Sequence, residues 1–218
     1  MSGREGRERA FRRKAKWASL QRRSFGYEQK TRVLIVGEGR QTEPNYFRGL
    51  YAEQSVRDRY HVVIKEGKGF DALATVNLAV KEKAKRQYDK VFAVFDVEGP
   101  AHAESLLKAM ELARKHGIVV ILSNPSFEVW LLAHFERTSK SFASGDAVIA
   151  ALNVYWRNTF RREYTKSDDQ LYELLKNRTA LAIRNARDVH MADHRGHPVE
   201  ESNSSTAIHT LVSLLLGP

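Results

Sequence analysis

Three short blocks constrain this chain more than anything else in it: Val33-Leu-Ile-Val-Gly-Glu38-Gly39, Val91-Phe-Ala-Val-Phe-Asp96-Val97-Glu98, and Ile118-Val-Val-Ile-Leu-Ser-Asn124-Pro125-Ser126-Phe127-Glu128. Each is an unbroken apolar run of strand length that ends in carboxylates. Runs of this kind, bounded by Gly, Pro or Asn, are apolar on both faces and so fit the interior of a parallel sheet covered by helices. In such sheets function gathers at the C-terminal ends of the strands. Glu38, Asp96, Glu98 and Glu128 then arrive at or near one edge. Carboxylates about 4 Å apart repel by roughly 4 kcal/mol per pair at an effective dielectric of ~20. A cation between them is the expected remedy, and a hard divalent ion such as Mg²⁺ takes one or two carboxylates while keeping positions for water and phosphate oxygens.

The rest of the pattern is an alternation of strands and helices. A helix is predicted from Thr42, read as its N-cap, with Glu43 in the first turn and Tyr46, Phe47 and Leu50 on one face. A second strand is expected over 60–65, a turn over 67–69 that carries Lys68, and a helix over 71–88 with Leu73, Val76, Val80 and Ala84 apolar. The helix over 102–116 presents Leu106, Leu107, Met110 and Ala113, and Gly117 stops it before the strand at 118–122. Ser126 is placed as the cap of a helix through Val129, Trp130, Leu132 and Phe135. Further helical stretches follow over 146–156, 169–177, 180–188 and 206–216. The fold class is therefore α/β with a mainly parallel sheet, its core over 31–135 and a helical extension over 136–218.

Charge is distributed unevenly. Eleven Lys or Arg and only three Glu lie in the first 32 residues, 11 − 3 = +8 of the net charge of +10, and most of this sits in a basic arm, residues 1–30. Arg9, Arg12, Arg13, Lys14, Lys16, Arg22 and Arg23 suit phosphate contacts, with Phe11, Trp17, Phe25 and Tyr27 interleaved for stacking; a solvated tail is the alternative. The chain has no Cys, which excludes disulfides, thiolate metal sites and Cys nucleophiles. No apolar run approaches about 18 residues, and the N-terminus lacks the apolar stretch of a secretory signal, so a cytoplasmic protein is expected.

Individual residues carry competing readings. Asp96 and Glu98 leave one face if the chain stays extended, which suits a metal, whereas a capping Asp96 needs none. Glu128 and Glu43 each lie in a helix's first turn, where the macrodipole by itself favours a carboxylate. Gly37-Glu38-Gly39 lacks the spacing of either Gly-rich phosphate loop. His190, His194 and His197, with Asp193, have metal-like spacing inside a polar loop, where such clusters are commonly solvent-exposed. Phe127, Trp130 and Leu131 read as core.

A Glu after the first strand with an acidic pair after a later one resembles the Toprim domain of topoisomerases, primases and OLD-type nucleases. More narrowly, Glu38-Gly-Arg-Gln-Thr42-Glu43-Pro44-Asn-Tyr46-Phe47, Phe95-Asp96-Val-Glu98, Ser123-Asn124-Pro125-Ser126-Phe127-Glu128-Val-Trp130 and Asn203-Ser-Ser-Thr206 are similar to the RloB family over about 33–216. Two positions depart from its usual pattern: Glu98 stands where Asp is usual, and Ser204 where Pro is usual. The resemblance implies a Toprim-like domain over 31–218 and a metal-dependent nuclease of prokaryotic defence loci, working on DNA or RNA beside an ATPase partner. Glu38, Asp96 and Glu98 would be catalytic and, with Glu128, would hold Mg²⁺ or Mn²⁺. A non-catalytic nucleic-acid-binding or signalling subunit is the alternative. A topoisomerase or primase core fits less well, since the chain is short and lacks a cysteine zinc ribbon.

Overall fold

The structure, a computed structural model, describes residues 30–67, 71–97 and 103–217. The basic arm from Arg9 to Arg23, Lys68 of the expected turn, and Glu98 lie outside the described residues. Strands β1 (Thr31–Gly37), β2 (Tyr60–Glu66), β3 (Lys90–Asp96) and β4 (Val119–Asn124) are mutually parallel in the order β2-β1-β3-β4. A two-residue strand β5 (Ser205–Thr206) extends the sheet antiparallel to β4. Helices α1 (Thr42–Ala52) and α2 (Gln54–Arg59) follow β1, α3 (Ala72–Lys85) follows β2, and α4 (Ala103–Lys115) follows β3. Helices α5 (Glu128–Ala133), α6 (Gly145–Phe160), α7 (Leu171–Leu175) and α8 (Thr179–Asp188) lie between β4 and β5, and α9 (Ile208–Leu216) closes the chain.

The continuous apolar runs are buried on both sides, as expected of central parallel strands. Val33 and Ile35 of β1 point to one core together with Phe92, Val94 and Ile121. Leu34 and Val36 point to the other with Val91, Ala93 and Phe95. The second core is closed by Val76 and Ala79 of α3 and by Ala109 and Ala113 of α4. The first takes α1, α2 and the helices after β4, including Trp130, Leu152, Trp156, Leu171, Ala182 and Leu211. The helices after Phe135 thus bury their apolar faces in the same core as the sheet. Each fully buried Leu, Val, Ile or Phe contributes about 1.5–3 kcal/mol, so this core holds those helices against the sheet. Tyr46 of α1 meets Phe127, Trp130 of α5 and Tyr172 of α7 edge to face, with centroids 5.8, 6.1 and 5.5 Å away. These ring contacts lock the starts of α1 and α5 to one another.

Five local expectations are corrected. Thr42 is the first helical residue and not the cap, because its hydroxyl is engaged across the fold with Tyr164 at 3.2 Å. Ser126 does not cap α5; its hydroxyl donates to the Glu128 carboxylate at 2.7 Å. The helix expected over 71–88 stops at Lys85, capped at its start by Asp71, because the chain must turn for the Asp89 carboxylate to accept the Arg32 N–H at 2.6 Å. The last helix starts at Ile208, since Ser205 and Thr206 pair with Asn124 and Ser123 instead. Leu107, placed on the apolar face of its helix, is 68% exposed. Gly117 ends α4 as expected, in the left-handed region at φ 59°.

Candidate active site at the strand ends

The order β2-β1-β3-β4 reverses direction between β1 and β3, and the crevice beyond the C-terminal ends at such a switch point is where doubly wound sheets bind ligands. Glu38 and Asp96 stand on its two sides. The Glu38 N–H still donates to the Val94 carbonyl at 2.9 Å, which holds the residue on the sheet before the chain turns. Its carboxylate accepts the backbone N–H of Asp96 at 3.1 Å. Asp96 ends β3 opposite Ser123, and the next residue remains extended, with the Val97 N–H on the Ser123 carbonyl at 2.8 Å.

Two helix starts complete the site. Glu43, in the first turn of α1, is buried and accepts the Gly39 N–H at 3.2 Å. A Cβ on Gly39 would stand 2.5 Å from a Glu43 carboxylate oxygen, so glycine is what lets that carboxylate lie there. Glu128 opens α5 and is also buried. It accepts hydrogen bonds from Ser126 at 2.7 Å and from the Tyr164 hydroxyl at 3.1 Å, with the Lys166 ammonium 3.7 Å away. Glu38, Glu43, Asp96 and Glu128 line one cavity of about 340 Å³, joined by Arg40, Thr42 and Lys166.

The electrostatics follow from this crowding. Burial first, then the negative charges of Glu43, Glu128 and Glu38, hold the Asp96 carboxyl well above the usual carboxylate range, with Lys166 pulling the other way. Burial also raises Glu43; hydrogen bonds from its own and the Gly39 backbone N–H oppose this, Glu128 raises it further and Lys166 lowers it. Burial and the adjacent Glu128 push the Tyr164 hydroxyl upward, so at neutral pH it is a neutral donor. Tyr164→Phe removes a donor from a buried carboxylate and is expected to cost about 1–3 kcal/mol in urea denaturation; a variant as stable as the parent would show that the bond carries no weight.

The structure thus brings together three of the four acidic residues singled out in the sequence, Glu38, Asp96 and Glu128, while Glu98 lies outside the described residues. It adds Glu43, which the sequence explained equally well by the helix dipole. It also adds Tyr164 and Lys166, for which the sequence held no signal, since both sit in the polar loop between α6 and α7. The donors are all carboxylate oxygens, the chemistry Mg²⁺ and Mn²⁺ prefer. Among the described residues no three His, Asp or Glu already stand as a ligand group, and that includes His190, His194 and His197. His194 instead meets the Ser204 carbonyl at 3.1 Å. Among the described residues no helix is long and apolar enough to cross a membrane.

No curated protein matches the chain. No solved structure matches it either. A family model described as RloB-like protein matches residues 33–215, from the first core residue of β1 to the last turn of α9. That span holds both cores and every carboxylate of the cavity, and the chain belongs to the RloB-like family.

Proposed function

We propose that this protein is a metal-dependent nuclease that hydrolyses phosphodiester bonds of DNA or RNA, acting in prokaryotic antiviral defence beside an ATPase from the same locus. The observation that carries the reading is the meeting of Glu38 and Asp96 at the β1/β3 switch point, with Glu128 and Glu43 in the same cavity. Asp96 and Glu38 would hold Mg²⁺ or Mn²⁺, Glu128 would sit beside a second ion, and Glu98 follows Asp96 by two residues. Bound there, the cation supplies Lewis-acid polarisation of a phosphate oxygen and a more acidic water.

The chain's own groups do the rest. Glu38 serves as a ligand or as the base that takes the proton of the attacking water. Glu43, whose carboxyl burial raises above the ordinary range, lines the same cavity and would supply the proton that the leaving oxygen takes. Ser126 and Tyr164 fix the Glu128 carboxylate, and Lys166, 3.7 Å from it, offers a positive charge to a phosphate entering the cavity.

The test is incubation of purified protein with plasmid, single-stranded DNA and tRNA in Mg²⁺, Mn²⁺ or EDTA, where cation-dependent products are expected. One observation favours a second reading. Lys166, Ser126 and Tyr164 already compensate Glu128 without an ion, as a binding or signalling subunit that had lost turnover would require. Tight nucleic-acid binding with no products on any substrate, with every metal and with the neighbouring ATPase, would establish that reading instead.

The arm carries most of the net charge. Removal of residues 1–29 is therefore expected to weaken binding across all sequences and to flatten the plot of log affinity against log salt, by about 0.7 to 0.9 per lost phosphate contact. An unchanged slope in a salt titration would show that the phosphate contacts lie elsewhere.

A further inference from the structure

Asp96 lines two clefts, and they differ in charge. The carboxylate cavity has Arg40 and Lys166 in its walls. On the other side of Asp96 runs a groove of about 930 Å³ among whose described lining residues there is no Lys or Arg. This volume is within the roughly 300–1,000 Å³ range of small-ligand clefts. One wall is aliphatic, made by Val97 of the strand end and by Leu106 and Leu107 of α4, with Leu107 68% exposed. Phe142 also lines the groove; its ring is buried with Val129, Leu132 and Val148, and its backbone is clamped by the Asn203 side chain through hydrogen bonds of 3.0 and 2.7 Å, so this part of the lining is already built. Glu200 and Glu201 line the same groove. The N-terminus of α6 opens onto the same groove but is capped, since the Ser144 hydroxyl accepts the Ala147 N–H at 3.3 Å.

With a cation among its carboxylates and with Arg40 and Lys166 in its walls, the first cleft suits a phosphate; the charged described residues that line the second are all acidic, and the Lys140 ammonium lies over the Phe142 ring at 5.7 Å. A flat neutral ring suits the second: aliphatic side chains take its faces, and carboxylates accept hydrogen bonds from an exocyclic amino group. We propose that this groove takes the nucleobase of the nucleotide beside the scissile phosphate, preferring cytosine, adenine or guanine to thymine or uracil. The inference rests on the nuclease reading for its scissile phosphate. A single strand, or an unstacked nucleotide, is then the substrate, because a base within a duplex cannot reach a groove beside the cleavage site.

The experiment uses short single-stranded DNA and RNA oligonucleotides, intact or with one abasic residue walked along the strand. KM is measured with Mg²⁺ or Mn²⁺, and affinity by fluorescence anisotropy in EDTA. One abasic position is expected to weaken both by about tenfold, the value of a lost base contact. In Leu107→Glu the ratio of intact to abasic values is expected to fall toward one, and in Glu201→Gln the preference for cytosine over thymine is expected to shrink. Leu107 is largely exposed, so its substitution leaves the core alone, and Leu107→Ala serves as the milder companion. An abasic penalty that is absent, or that survives both Leu107 variants, would overturn the assignment. The binding arm needs no turnover. An inert protein that still shows the penalty would sink the nuclease reading and keep the groove, while cleavage without any penalty would do the reverse.

Discussion

Asp96→Asn is expected to abolish cation-dependent cleavage, by about a thousandfold or more, while making the metal-free protein more stable. Both effects come from the same crowding. Asp96 must be ionised to bind a cation, yet burial and the charges of Glu43, Glu128 and Glu38 disfavour its ionised form. A neutral side chain of the same shape removes that repulsion, and about 1–3 kcal/mol of gain corresponds to a Tm higher by a few degrees for a chain of this size. Glu38→Gln is expected to lose cleavage as well, since the amide oxygen can still accept the Asp96 N–H but the charge is gone.

The pH dependence has a definite sign. With its pKa raised in the folded state, Asp96 binds its proton more tightly in the native protein than in the unfolded chain. The contribution of Asp96 to stability without metal is therefore fullest below the ordinary aspartate value of 3.8 and is lost as pH rises from there through the folded value. Asp96→Asn should flatten this slope but not remove it, because Glu43 is shifted in the same direction. Added Mg²⁺ should restore stability at the upper end of the range in the parent and do nothing for Asp96→Asn. Thermal melts from pH 4 to 8, with and without Mg²⁺, supply the measurement. Equal Mg²⁺ stabilisation of parent and variant would remove Asp96 from the metal site.

Gly67→Ala is expected to be the most damaging single methyl in the fold. Its Cβ would stand 2.2 Å from the Glu38 carbonyl oxygen, 2.5 Å from that of Gly37 and 2.7 Å from the Glu38 carbonyl carbon. All three are backbone atoms at the end of β1, where Gly37 pairs with Glu66 and the Glu38 N–H is held by Val94, so no side-chain rotation can relieve the clash. Either β2 separates from β1 or the Glu38 turn is displaced. The expected cost is about 3 kcal/mol or more, a fall in Tm of about 6–12 °C, with cleavage lost in whatever fraction stays folded. A Tm within about 1 °C of the parent would show that the two chain ends are not packed as described.

The sequence by itself determined the strands and what stands at their ends. Val33–Val36 and Val91–Phe95 are apolar at every position, short, rich in β-branched and aromatic residues and followed by turns, which marks strands buried on both faces, so β1 and β3 were legible together with the carboxylates that follow them. The helices with a strong apolar repeat, the burial of Phe127 and Trp130, and the Gly117 stop were legible for the same reason: period and backbone freedom are local properties. What only the tertiary structure decided concerns groups whose partners are far away along the chain. Thr42 and Ser126 have the composition of helix caps, but Tyr164 claims one and Glu128 the other, and a side chain that finds a buried partner does not serve its own helix end. Ser205 and Thr206 have no strand pattern and pair only because β4 offers Asn124 and Ser123 an open edge. Lys166 lies in a polar loop that gives no hint of function, and it reaches the carboxylates because Tyr164, two residues earlier, is buried against the starts of α1 and α5. Glu43 could be a dipole-complementing residue in any helix; here the aromatic packing of Tyr46 on Phe127 and Trp130 carries it to the cavity that Asp96 and Glu128 share. Local pattern fixes which segments are buried, whereas the identity of a site depends on which buried polar groups are forced to share one space.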